Sequence, residues 1–455
     1  MKFESRSGTT WRIAGFARST NPIWWQLAAF ALAFALLTLP PSAEARTFKK
    51  LHTFVGNSKD GAFPFASLVM DANGNLYGTT WEGGANAFGT VFELMPRGNN
   101  RWTEKLLHSF GASGDGAFPV ADLILDSAGS LYGTTSKGGM YGSNCGTLGN
   151  ECGTVFELSP RAHGGWKEKI LHSFGGSGDG TFPQAGLIFD SAGNLYGTTT
   201  DGGAHRVGTV FELSPGANGT WTEKILHSFG SGQDGYYPYG GLILDKPGNL
   251  YGTASSGGAS GRLCANFASC GIAFQLTPGS NGSWTETVLH NFGNGADVND
   301  PLGGLIMDPQ GNLYGTTAYG GAYASNCDTS TCGIVFQLTG ANGTWTETVL
   351  HSFGNGKDGN GPFSNLILDQ PGNLYGTTSH GGTKAPGLGT VFELKASAHG
   401  KWTEKLLHSF GGTDGQIPTG GLFMDAAGNL YGATSEGGVF SCAGTGCGVA
   451  FKLTP

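Results

Sequence analysis

Past residue 45, this chain of 455 residues has no apolar run long enough to cross a bilayer. That excludes a membrane-spanning helix from its body. Positive charge is scarce: Lys and Arg number 25 against 33 Asp and Glu, a net charge of −8. Such a surface has no electrostatic footprint for nucleic acid or anionic lipid, so neither is an expected partner. No Cys-x-x-Cys, no phosphate-binding glycine loop and no Ser/His/Asp nucleophile context occurs. Zinc-finger, nucleotide-binding and nucleophilic-hydrolase readings fall with them.

The first 45 residues differ from the rest. Lys2, Arg6, Arg12 and Arg18 lead into an apolar stretch from Ile23 to Leu39, and Ala43-Glu44-Ala45 is the small-x-small pattern a signal peptidase reads. Residues 1–45 are therefore read as a signal peptide and 46–455 as the mature domain, secreted or kept in the periplasm or cell envelope. Cleavage takes the net charge to about −10 and leaves no membrane insertion. The alternative is an uncleaved anchor, with a stretch near the lower length limit for a span. Pro40 and Pro41 beside the cleavage pattern argue for removal.

What abounds is glycine, 82 residues, with 19 prolines. Scattered, these would signal low complexity; here they recur at fixed places and read as turns. Leu-Tyr-Gly begins at Leu76, Leu131, Leu195, Leu250, Leu313, Leu374 and Leu430. Leu-His-(Ser/Thr/Asn)-Phe begins at Leu51, Leu107, Leu171, Leu226, Leu289, Leu350 and Leu407. Two independent markers with one count give seven copies of a unit of about 59 residues.

In the third copy four runs read as strands: 186–190, 195–199, 209–213 and 221–229. Alternation in the last puts Trp221, Glu223, Ile225 and His227 on one face. Between the first two, Asp190 is placed to accept turn N–H groups and Gly193 to take positive φ. Four antiparallel strands, seven times, predict an all-β, seven-bladed β-propeller. The ends are offset: 47–54 is a fourth strand without the preceding three, and 448–453 a third strand without a fourth. Pairing them completes the last blade and closes the ring, an offset for which an open solenoid has no use.

The run Asp-x-x-Gly-Asn-Leu-Tyr-Gly-Thr-Thr, then Gly-Gly, then Gly-Thr-Val-Phe-Glu-Leu, resembles the GloVer-type tandem repeat of bacterial extracellular "choice-of-anchor" proteins. More distantly it resembles NHL-type propeller repeats. The resemblance covers 46–455 and implies an exported bacterial protein; it brings no catalytic residues to carry over. Nothing like a sorting tail follows the last strand, so surface anchoring is not expected.

Eight cysteines form four local pairs: Cys145 with Cys152, Cys264 with Cys270, Cys327 with Cys332, and Cys442 with Cys447. Each pair sits between the second and third strands of its copy, and pairs in separate blades would be far apart. Four local disulfides are expected, in keeping with an oxidising compartment. Copies one, three and six lack the pair, so the bridges hold longer loops rather than the fold.

One histidine recurs in each copy (His52, His108, His172, His227, His290, His351, His408), as do turn aspartates such as Asp190. A group present in every blade is no unique catalytic base, and both read as structural. The Asp-Gly before the first strand, at Asp60, Asp115, Asp179, Asp234, Asp358 and Asp414, reads as a turn. Calcium, which takes several oxygen ligands, is the alternative. No metal and no cofactor are expected.

Function in a repeat protein belongs where the copies disagree. The residue after the loop proline is Phe65, Val120, Gln184, Tyr239, Leu302, Phe363 or Thr419; that before Gly-Gly is Glu82, Lys137, Asp201, Ser256, Tyr319, His380 or Glu436. Both loops open on one propeller face, so both sets are expected to ring one mouth of the central channel. Drift at exposed loops is the competing explanation. The expected ligand-binding residues are Phe65, Gln184, Tyr239, Phe363, Glu82, Asp201, Tyr319 and His380. The expected function is a non-catalytic binding or scaffold module for a glycan or protein partner, acting as a monomer. The alternative is a carbohydrate hydrolase or lyase, in which two of Glu82, Asp122, Asp201 and Glu436 would share a pocket at about 5–10 Å.

Overall fold

Each Leu-Tyr-Gly run forms a five-residue strand buried along its whole length, from Leu76–Thr80 in the first blade to Leu430–Thr434 in the last. The computed structural model describes residues 46–455 apart from 99–100, 142–151, 260–269, 294–299, 328–331, 398–399, 440–441 and 443. The leader 1–45 and its expected cleavage site lie outside the described residues. No helix among those described is long and apolar enough to cross a membrane.

In the first blade, Leu76–Thr80 lies between Val69–Met70 and Thr90–Arg97, with Arg101–Ser109 outermost. Seven sheets repeat this antiparallel order, and together they form a seven-bladed β-propeller. The last blade takes its outer strand from the other end of the chain. Thr47–Thr53 pairs with Val449–Thr454, Phe48 opposite Leu453 and Thr53 opposite Val449. The offset ends close the ring as expected.

Packing dictates the glycine of the tripeptide. A Cβ on Gly197 would stand 2.6 Å from Cζ of Phe211 and 2.9 Å from Cδ2 of Leu187, so only glycine lets that ring cross the strand. The tyrosine beside it ties down the first hairpin. Asp190 accepts the N–H groups of Ala192 and Asn194 at 2.8 and 2.9 Å and the Tyr196 hydroxyl at 3.2 Å, which fixes the predicted turn.

The core lies between blades. The Phe of each Leu-His-x-Phe marker meets the third-strand Phe of the next blade edge-on, as Phe54 does Phe92 and Phe174 does Phe211, both at 5.1 Å. Leu51, Leu76 and Leu94 pack around the first pair with Tyr431 and Ala450 of the last blade. Nearer the channel, the Thr79 hydroxyl donates to the Ala121 carbonyl of the next blade at 3.2 Å, and Thr253 likewise to Gly303 at 2.9 Å.

The outer strands depart from simple alternation. In Trp221–Ser228, Phe211 pairs with Ile225 but Val210 pairs with His227, leaving Leu226 as a β-bulge. The extra residue turns His227 to the face opposite Glu223 and Ile225, correcting the shared face that alternation predicts. The same slip recurs in the other outer strands. Glu223 thereby meets the preceding blade, at His172, while His227 meets the following one, at Glu286.

Cys327–Cys332 and Cys442–Cys447 are disulfides. Cys152 and Cys270 are disulfide-bonded too; their expected partners, Cys145 and Cys264, lie outside the described residues. Among those described, no cysteine is free.

Candidate binding site on the loop face

The loop before each first strand is fixed by the residue preceding its proline. Phe63, Phe118, Phe182, Tyr237, Asp300 and Ile417 all hold φ between 53° and 61°, and Gly361 takes 64° in the remaining copy. Positive φ is unfavourable for bulky side chains. Hydrogen bonds on both sides hold it here. Phe118 N–H donates to the Phe88 carbonyl of the blade before, at 2.8 Å, and its carbonyl accepts from Ser136 N–H at 3.2 Å. The equivalent acceptors elsewhere include Cys152, Val207, Cys332, Leu388 and Cys447. Copies without a disulfide thus put Phe88, Val207 or Leu388 where the others have the second cysteine.

This joint aims the residue after the proline inward. Phe65, Val120, Gln184, Tyr239, Leu302, Phe363 and Thr419, one from each blade, line a single cavity of about 120 Å³ at the channel mouth. The first variable set therefore converges as the sequence implies. Beneath it, Ser67, Asp122 and Asn365 line the channel together with Gly186, Gly241 and Gly421 at the matching positions; the fifth copy has Gly304 there. Asp122 accepts from Ser67 N–H at 2.6 Å and from the Ser67 hydroxyl at 3.1 Å. Burial still raises its pKa, against those two bonds. Burial also raises the Tyr239 pKa, helped by Asp201 and other nearby acidic groups and opposed by a hydrogen bond with Gln184.

The second variable set does not line this cavity. Glu82 and Asp201 sit in two-residue ribbons opposite Ala62 and Thr181, and His380 bridges Asn360. Tyr319 is half-buried and its carbonyl accepts from Thr317. Glu82 lines a separate groove with Asn57, Phe63 and Ala87. Asp201 stays close enough to Tyr239 to influence its ionisation.

An aromatic cluster that repeat comparison misses extends the cavity over the first two blades. Trp81 lies 5.9 Å from Phe65, 6.3 Å from Phe63 and 5.5 Å from Phe118. Phe88 stands edge-on to Phe118 at 5.4 Å, and Lys137 Nζ lies 5.8 Å above the Phe118 ring. Four other copies put Ser or Thr at the Trp81 position and donate its hydroxyl, as Ser136 does to the Phe118 carbonyl at 2.7 Å; the fifth copy has Ala318 there. Trp81 gives up that bond. It is also the one tryptophan in 46–455 outside the outer strands, the signal that could have marked it.

The repeated histidines and Asp-Gly aspartates form one unit. His52–Asp60, His108–Asp115, His172–Asp179 and His351–Asp358 pair at 3.1 Å and His227–Asp234 at 3.2 Å. Against four of these pairs stands a glutamate of the next blade. Burial, then the Asp115 carboxylate, push Glu168 up to about 8; burial and Asp179 push Glu223 to about 9.

Comparison with known proteins completes these observations. The model of the Gloeobacter/Verrucomicrobia repeat matches residues 38–150, 140–326 and 265–455. A search of curated proteins finds no match. Among solved structures, the chain is similar to a protein of unknown function from Dyadobacter fermentans, at 13% identity and TM-score 0.40, over 89% of this chain and 98% of that one. It is similar to an ulvan lyase, a polysaccharide lyase, at 10% identity and TM-score 0.48, over 81% and 88%. It is also similar to a protein from Lactobacillus plantarum, at 14% identity and TM-score 0.46, over 84% and 99%.

Proposed function

The chain belongs to the Gloeobacter/Verrucomicrobia repeat family, and from that premise we propose an exported, non-catalytic module that binds a glycan on its loop face. The observation that carries this reading is the convergence of Phe65, Tyr239 and Phe363, with Gln184, in one cavity lined by a variable loop position from every blade. Aromatic faces take the C–H side of a sugar ring, while amide and hydroxyl groups take its hydroxyls. Trp81 and Phe118 continue that surface outward. Among the described residues Asp122 is the one acidic residue lining the cavity, whereas glycoside hydrolysis by paired carboxylates needs two there. Export, with 1–45 removed, and a monomeric state are part of the same reading; the disulfides support export to an oxidising compartment.

A protein partner is the second reading, favoured by Phe88 and Tyr237, 41% and 37% exposed on the same loops. The test is a glycan array probed with the mature protein and with a Phe65→Ala/Tyr239→Ala/Phe363→Ala variant. The expected result is selective glycan binding that the variant loses at least tenfold while keeping its Tm. Binding to no glycan, or undiminished binding by the variant, overturns the reading.

A further inference from the structure

Outside the channel-mouth cavity, the joints between blades hold clusters that neither the ring nor the cavity requires. In four of them a histidine Nε2, an aspartate oxygen and a glutamate oxygen lie within 4.8 Å of one another: His52/Asp60/Glu104, His108/Asp115/Glu168, His172/Asp179/Glu223 and His227/Asp234/Glu286. The histidine lies on the outer strand of one blade, the aspartate in the loop leading to the next, and the glutamate on that next blade's outer strand. His108 Nε2 is 3.1 Å from Asp115 and 3.7 Å from Glu168; His172 Nε2 is 3.1 Å from Asp179 and 3.6 Å from Glu223. Nitrogen and oxygen ligands about 2.0–2.2 Å from a tetrahedral ion would stand about 3.3–3.6 Å apart. The observed spacings bracket that range.

The hydrogen-bond inventory is short of donors. Glu104, Glu168, Glu223 and Glu286 each bury an Oε1 that accepts no hydrogen bond. Asp179, with a side chain 7% exposed, leaves Oδ1 unpaired while Oδ2 takes His172 and the Gly175 N–H. Two carboxylates set beside one imidazole out of water need either a shared proton or a cation between them.

The seam of the ring shows what happens when the glutamate is absent. Phe48 occupies its place and stacks on His408. The His408–Asp414 pair persists at 3.1 Å, so the glutamate is not what holds the pair together. Here a lysine enters: Lys384 Nζ lies 2.8 Å from Asp414 Oδ2. One carboxylate is balanced by one ammonium. Two carboxylates are balanced in the same way by one divalent ion.

We propose that these four joints bind divalent cations of the zinc class, each held by the histidine Nε2 of one blade, the aspartate of the connecting loop and the glutamate of the next blade. One imidazole and two carboxylates suit zinc, whereas calcium takes six to eight oxygens. Ions so placed clip neighbouring blades together and stabilise the folded ring by mass action. The inference is independent of what the loop face binds.

The test is to strip the mature protein with a chelator, titrate it with Zn²⁺ alone, and count metal retained after gel filtration by elemental analysis, with Tm measured alongside. The expected result is at least four equivalents per chain and a higher Tm. Glu168→Gln is expected to lose one equivalent. Since that change also alters a joint, a second variant works in the opposite direction. Phe48→Glu/Lys384→Ala restores the missing ligand at the seam and is expected to gain one equivalent. No retained zinc, or retention that neither variant changes, overturns the proposal and leaves protons to balance the joints.

Discussion

Phe48 stacks face to face on His408, with centroids 4.0 Å apart and planes within 9°. It also meets Phe451 at 5.5 Å, so one side chain in the first strand of the propeller ties together two strands near the other end of the chain. Closure of the ring is concentrated there. Phe48→Ala is expected to cost about 2–3 kcal/mol, a little below a fully buried Phe→Ala because the ring is only partly covered. Deleting 46–54 is expected to abolish a single cooperative transition. Phe88→Ala, on an exposed aromatic, is the control and should change stability by less than about 1 kcal/mol. Denaturant unfolding of the three variants checks the ordering.

Two glycines of the third blade separate packing from backbone conformation. Gly197→Ala forces a Cβ into the Phe211 ring and is expected to cost about 1–3 kcal/mol, as overpacking does. Gly193 has φ 86° and open space around it. There, alanine is expected to cost about 1 kcal/mol for its backbone alone. Thermal unfolding of both variants, with a Phe211→Leu background for the first, tells the causes apart: only the Gly197 penalty should shrink.

Much of this fold is legible in the sequence because it is local and repeated. The strands, the Asp190 turn and the cysteine loops depend on neighbours within one unit, and the ends 47–53 and 449–454 declare themselves by being complementary. The bulge at Leu226 was legible in principle, since Ile225-Leu226 puts two apolar residues side by side in an alternating strand. Read as plain alternation, it sends His227 to the wrong face and hides the clusters joining one repeat to the next. The site divides along the same line. Position after the proline places Phe65, Tyr239 and Phe363 together, because one backbone joint repeats in every blade. Trp81 against Phe118 is a contact between blades made by residues that break the repeat, and no periodicity points to it.

The disulfides should matter less than their number suggests. Cys442–Cys447 closes only a short loop, worth about 2 kcal/mol by chain entropy. Cys442→Ala/Cys447→Val is expected to lower stability by about that amount and leave one cooperative transition, since Val207 already fills the equivalent position in the third copy. Loss of the far-ultraviolet β signal on mild reduction would show instead that the bridges hold the ring.

Asp300 gives a pH signature. Burial raises its carboxyl from 3.8 to about 6, so the folded state binds its proton more tightly than the unfolded chain does. Its contribution is fully present below about pH 4 and is lost as pH rises through 6. The group is partly exposed, which limits the loss to about 1 kcal/mol after allowing for solvent screening. Asp300→Asn is expected to be more stable than the parent at pH 7 and equal to it near pH 4. Urea midpoints across that range would show the two curves diverging upward from pH 4; parallel curves would exclude the assignment.

The most direct measurement of all is a high-resolution crystal structure of the mature protein soaked in the glycan that the array selects. Density for a sugar ring in the channel-mouth cavity, against Phe65, Tyr239 or Phe363 and within hydrogen-bonding reach of Gln184, is the expected result. A glycan bound on the outer strands, or a cavity holding only water at saturating ligand, would contradict binding at the place where the seven copies diverge.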